Sequence, residues 1–69
     1  MDNQPMNDEK FNMSMRKFLK QVGVTSQQAI EEVVRAENLG GKGKMKVKAV
    51  LTAEGTALDH VVEGEIDLG

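Results

Sequence analysis

The sequence predicts an α+β domain: a two-helix hairpin packed on a two-stranded antiparallel β-hairpin, in the order ααββ. Two observations carry that prediction. Residues 44–53 and 58–67 alternate between apolar and charged side chains, the two-residue period of a strand with one wet face. Residues 8–22 and 26–38 instead carry apolar residues at helical spacing, and each run follows residues that cap helices. A two-stranded ribbon is marginal alone, and so is an isolated helix of about 12–15 residues. Each has one apolar side, so the helix pair is expected to lie across the apolar face of the hairpin in two layers.

Asn7 suits the cap of the first helix, with Asp8 and Glu9 in the first turn complementing its dipole. Met6 before the cap and Phe11 within the helix form a hydrophobic staple. Phe11, Met15, Phe18, Leu19 and Val22 share one stripe, and Gly23 reads as the stop. The second helix begins almost at once. Thr25-Ser26-Gln27-Gln28 has the form of a capping box, with the Thr25 hydroxyl aimed at the Gln28 amide. Ala29, Ile30, Val33, Val34 and Ala36 supply its apolar face, and Leu39-Gly40 its C-terminal cap. Gly40, Gly41, Lys42 and Gly43 then read as a flexible connector. Residues 1–6, polar and holding the single proline, Pro5, are expected to be a disordered lead-in to one small domain over residues 7–69.

The two alternating runs specify their own register. Folded about Gly55-Thr56, they set Lys44 opposite Asp67, Lys46 opposite Glu65 and Lys48 opposite Glu63. The same register sets Met45 opposite Ile66, Ala49 opposite Val62 and Leu51 opposite His60. A two-residue loop that begins with glycine suits a type II′ turn. Slipping the pairing by one residue would turn the lysines toward the apolar side, which is costly.

Sixty-nine residues make one small domain, which buries only about 60% of its unfolded surface. With no cysteine, neither a disulfide nor a thiolate metal site is possible. With no Trp or Tyr and only two Phe, any core must be aliphatic and rich in methionine. The net charge of −2 is too small to steer the whole molecule to nucleic acid or an anionic membrane. Charge comes in blocks: residues 10–20 sum to +4, 31–37 to −2, 42–48 to +4 and 54–67 to −5. No run approaches the roughly 18 apolar residues of a membrane span, and the N-terminus lacks the apolar stretch of a signal peptide. The expected location is cytoplasmic.

The strings FNMSMRKFLKQVGVTSQ (Phe11 to Gln27) and LDHVVEGEIDL (Leu58 to Leu68) resemble a family of short, uncharacterised bacterial proteins carried as a domain of unknown function. The likeness extends over most of the chain after residue 6. It implies a small autonomous bacterial domain and supplies no activity, cofactor or binding residue.

Met15 to Arg35 has the outline of a helix-turn-helix, with Gly23 as the turn glycine and the second helix aimed at a DNA groove. Two features oppose it. Glu32 falls where that motif buries an aliphatic residue, and the would-be reading helix carries Glu31, Glu32 and Glu37 against one Arg35. Phosphate neutralisation needs an excess of cations. Arg16, Lys17 and Lys20 instead lie opposite the apolar stripe with Met13 among them, a cationic face suited to an acidic protein partner. A plain solvated helix face accounts for the same residues.

Enzyme chemistry finds no footing. His60 is the only histidine, and it lies on the apolar side of its strand without a second His or Cys to complete a metal site. Ser14 and Ser26 sit on helices with no activating base. Gly40-Gly41-Lys42-Gly43-Lys44 fails the phosphate-loop pattern in spacing and in leading to a strand. Asn12-Met13-Ser14 matches a glycosylation sequon but lies on a helix. The sequence therefore points to a non-enzymatic domain with no cofactor or metal, working by protein–protein contact. A helix-turn-helix-like nucleic-acid binder stands second. A core this small also invites a homodimer, with Val50 and Val61, opposite each other on the charged face, as the apolar spot for it.

Overall fold

A computed structural model of the chain describes residues 7–69. Among them are one helix, α1 (Asp8–Ala36), and two strands, β1 (Lys44–Thr52) and β2 (Asp59–Asp67). The α+β class holds, but the two-helix hairpin does not form. Helix α1 runs for 29 residues straight through Gly23. The expected lead-in and the Met6 half of the staple lie outside the described residues.

The local stop and start signals at the centre of α1 lose to its periodicity. A glycine inside a helix costs only about 0.5–1 kcal/mol relative to alanine, which lowers helix stability without ending the helix. The Thr25 hydroxyl does not cap a new helix. It donates to the carbonyl of Gln21 at 2.8 Å, one turn back, the alternative open to a hydroxyl in mid-helix. Ser14 does the same toward Phe11, at 3.1 Å. The apolar stripe also stays in phase across Gly23, because Phe11 and Ala29 are 18 residues apart, about five turns. Phe11, Met15, Phe18, Val22, Ala29 and Val33 therefore line one side of a single helix.

The two ends of α1 differ in how well the sequence announces them. Asn7 caps the N-terminus as expected, its Oδ1 accepting the Lys10 amide at 3.0 Å while its carbonyl accepts the Phe11 amide at 2.9 Å. Replacing Asn7 by Ala is expected to cost about 1 kcal/mol, read as a lower urea midpoint of the far-UV dichroism. The C-terminus stops earlier than Leu39-Gly40. Asn38 takes the left-handed conformation, φ 54°, which asparagine tolerates better than most residues.

The chain divides into two compact units at Ala36–Glu37, and the second contains the ribbon. Its register is the expected one throughout, from Lys44 opposite Asp67 to Thr52 opposite Asp59. Three lysines thus face three carboxylates, in exposed pairs of a kind that contribute about 0.2–1 kcal/mol each and mainly disfavour slipped pairings. The turn differs from expectation. Pairing stops at Thr52 and Asp59, and Ala53–Thr56 close a turn by a 3.2 Å bond from the Thr56 amide to the Ala53 carbonyl. Gly55, φ 72°, sits third in that turn, where a type II turn needs positive φ, and not first in a type II′ loop. The Thr56 hydroxyl adds bonds to the Ala53 carbonyl and from the Leu58 amide.

The connector is a hydrogen-bonded turn. The Lys42 amide donates to the Leu39 carbonyl at 3.1 Å, and the Leu68 amide donates to the Gly43 carbonyl at 2.7 Å, extending the ribbon by one pair. No described residue is buried. In the ribbon the partly covered residues are mostly Met45, Val47, Leu51 and Ile66, all on the apolar face, while Val62 on that face is 53% exposed.

Candidate interaction site

The residues singled out from sequence fall on two separate units. On α1, Met13, Arg16, Lys17 and Lys20 lie within an arc of about 100° at helical periodicity, opposite the Phe11–Val22 stripe. All four are exposed, Met13 at 71%. An unbroken helix adds a fifth member that sequence reasoning missed. Val24, next to the expected turn glycine Gly23, stands four residues after Lys20 and seven after Lys17, so it continues this face and is also exposed. Its spacing from Lys17 and Lys20 was the available signal. The face is thus a strip of three cations flanked by a thioether and a valine. Lys and Arg heads stay hydrated there, and Met13 supplies adaptable apolar contact.

On the ribbon, Val50 and Val61 are directly opposed and both exposed, as expected. A second feature of the ribbon was not anticipated. Gly64 stands opposite Val47 in the middle of the sheet, and open space surrounds the position its side chain would fill. An open hollow of about 440 Å³ lies there, lined by Val47 and Gly64 with Lys46, Lys48, Glu63 and Glu65. A glycine in a strand interior often marks a close approach of another backbone, and Gly64 was the available signal for it.

The hydroxyls of Ser14 and Thr25 donate to carbonyls of their own helix. His60 pairs with Leu51 across the ribbon, and Asp59 alternates to the other face. Among the described residues, no three His, Asp or Glu side chains cluster so as to hold a metal ion. None of the described helices is long and apolar enough to cross a membrane.

Residues 6–69 match a family model described as a family of unknown function, DUF6494. The chain belongs to that family. No curated protein and no solved structure matches it. Membership agrees with the resemblance to an uncharacterised domain family and assigns no chemistry, so function rests on the surfaces described above.

Proposed function

We propose that the chain is a small non-enzymatic interaction domain that binds another protein, with the cationic face of α1 taking an acidic segment of that partner. One observation carries this reading: Arg16, Lys17 and Lys20 share an exposed face of one uninterrupted helix with Met13 and Val24. Charge of one sign on such a face steers encounter with an oppositely charged surface, and the apolar residues among the cations add contact that water does not replace. Nucleic-acid recognition through a helix-turn-helix loses its premise, because α1 makes no turn at Gly23.

The test is binding to a partner recovered by affinity capture from the source cell. Reversing Arg16→Glu, Lys17→Glu and Lys20→Glu together is expected to weaken binding at least about tenfold, about 1.4 kcal/mol. The wild-type affinity should fall as salt is raised. Equal binding by the triple variant removes this face from the reading. Binding of duplex DNA with a steep salt slope would replace the reading altogether.

A further inference from the structure

We infer that copies of this chain join head to tail through the ribbon, the open edge of β1 in one copy taking the open edge of β2 in the next. Among the described residues the sheet consists of β1 and β2 alone, so each strand keeps one edge without a strand beside it. Such an edge is a row of amides and carbonyls that an added strand satisfies.

The ladder tells which residues face those edges. The Leu68 amide donates to the Gly43 carbonyl, so residues 43 and 68 form a hydrogen-bonded pair one step beyond Lys44 and Asp67. Hydrogen-bonded and non-hydrogen-bonded pairs alternate along an antiparallel ladder. Met45–Ile66 and every second pair after it are therefore bonded across the ribbon. The residues between them turn their amides and carbonyls outward: Lys44, Lys46 and Lys48 on β1, and Glu63, Glu65 and Asp67 on β2. An incoming strand thus meets a row of lysines at one edge and a row of carboxylates at the other.

Charge at those positions chooses the occupant. Side chains directly opposed on neighbouring strands lie about 4.5–5.5 Å apart, where like charges repel and opposite charges attract. Two β2 edges set carboxylate on carboxylate in every register that overlaps them well. Two β1 edges give no lysine a carboxylate, because the strand from Lys44 to Thr52 holds no acid. Lysine commonly blunts an edge, and here it blunts β1 against its own kind but not against β2. Setting β1 beside β2 of the next copy, antiparallel, pairs Lys44 with Asp67, Lys46 with Glu65 and Lys48 with Glu63, the register already present within one chain. Outward-facing residues then stand opposite outward-facing residues, as the new ladder requires. A slip of two residues leaves Lys44 or Lys48 without its acid, and a slip of one sets the lysines against the apolar row. In the joined sheet each of these lysines lies between two carboxylates. The two edges differ, so the contact is heterologous and grows as an open chain instead of closing as a two-fold dimer.

The chain contains no cysteine, so two single variants read the edges directly. Val50 and Val61 are 58% and 46% exposed and stand opposite each other in this register. Val50→Cys and Val61→Cys, once far-UV dichroism shows the wild-type spectrum for each, would be treated with a short thiol–thiol cross-linker. Mixed, they are expected to cross-link between chains. Either alone is expected at under about a tenth of the mixed yield, because a head-to-tail contact sets neither residue against itself. Wild type in sedimentation is expected to grow with concentration past twice the 7.6 kDa chain mass, and to shrink as salt is raised. A monomer at every concentration would overturn the inference, and so would a mass that stops at the dimer. Val50→Cys cross-linking to itself at the mixed yield would show β1 against β1, and Val61→Cys doing so would show β2 against β2; either result overturns it. The cationic face of α1 is not part of this contact, so its triple variant reports on the proposed function separately.

Discussion

Gly23→Pro is expected to break α1 in the middle, at a cost of about 3 kcal/mol or more, while Gly23→Ala is expected to stabilise it by about 0.5–1 kcal/mol. Proline at this position removes the amide that bonds the Leu19 carbonyl, and its ring crowds the same carbonyl. It also disfavours helical geometry at Val22, the residue before it. Alanine meets no such objection. Gly23 has no positive φ, and open space surrounds the place its side chain would occupy. Far-UV dichroism should show the proline variant losing much of its helical signal and the alanine variant unfolding at higher urea. A chain that turned at Gly23, with the glycine in the left-handed stop conformation, would instead be destabilised by alanine. That opposite result would restore the two-helix arrangement.

How much of this was legible depends on which residues are asked. The ribbon was legible because charge, apolarity and alternation all selected one register, and three lysines opposite three carboxylates leave no good alternative. The helix pair was misread because Gly23 and the Thr25–Gln28 capping pattern are strong local signals with two meanings each. Glycine is a stop or a modest cost, and a threonine hydroxyl reaches forward to an amide or back to a carbonyl. The long-range signal settles between them. Phe11, Phe18, Val22, Ala29 and Val33 hold one phase, which a turn of arbitrary length would have reset. Asn38 and Gly40 posed the same problem at the helix end, since both residue types suit a left-handed stop.

The candidate site was legible to the extent that helix phase was. Met13, Arg16, Lys17 and Lys20 lie N-terminal to Gly23, so their common face survives either reading of the turn. Val24 does not, because its direction is set only once the helix is known to continue. Gly64 was passed over for a different reason. Its alternation slot is apolar in pattern, and only the pairing with Val47 shows that one side chain is missing from the middle of that face.

The glycines at the entrance to the ribbon are not equivalent, and Gly43→Val is expected to cost about 1–3 kcal/mol where Gly40→Val costs little. Gly43 has φ 87°, a conformation that a β-branched residue adopts only under strain. Its carbonyl also holds the Leu68 amide at 2.7 Å, so relieving that strain by rotating the backbone sacrifices that bond. Gly40 has no positive φ, and a side chain there meets open space. Hydrogen exchange at the Leu68 amide separates the two variants. Gly43→Val should speed its exchange markedly, and Gly40→Val should leave it close to wild type. The ladder from Lys44–Asp67 to Thr52–Asp59 should persist in both, since its register rests on the alternating side chains and not on the connector. Equal protection of Leu68 in both variants would show that the positive φ at Gly43 contributes nothing, and that the connector is as flexible as its composition suggests.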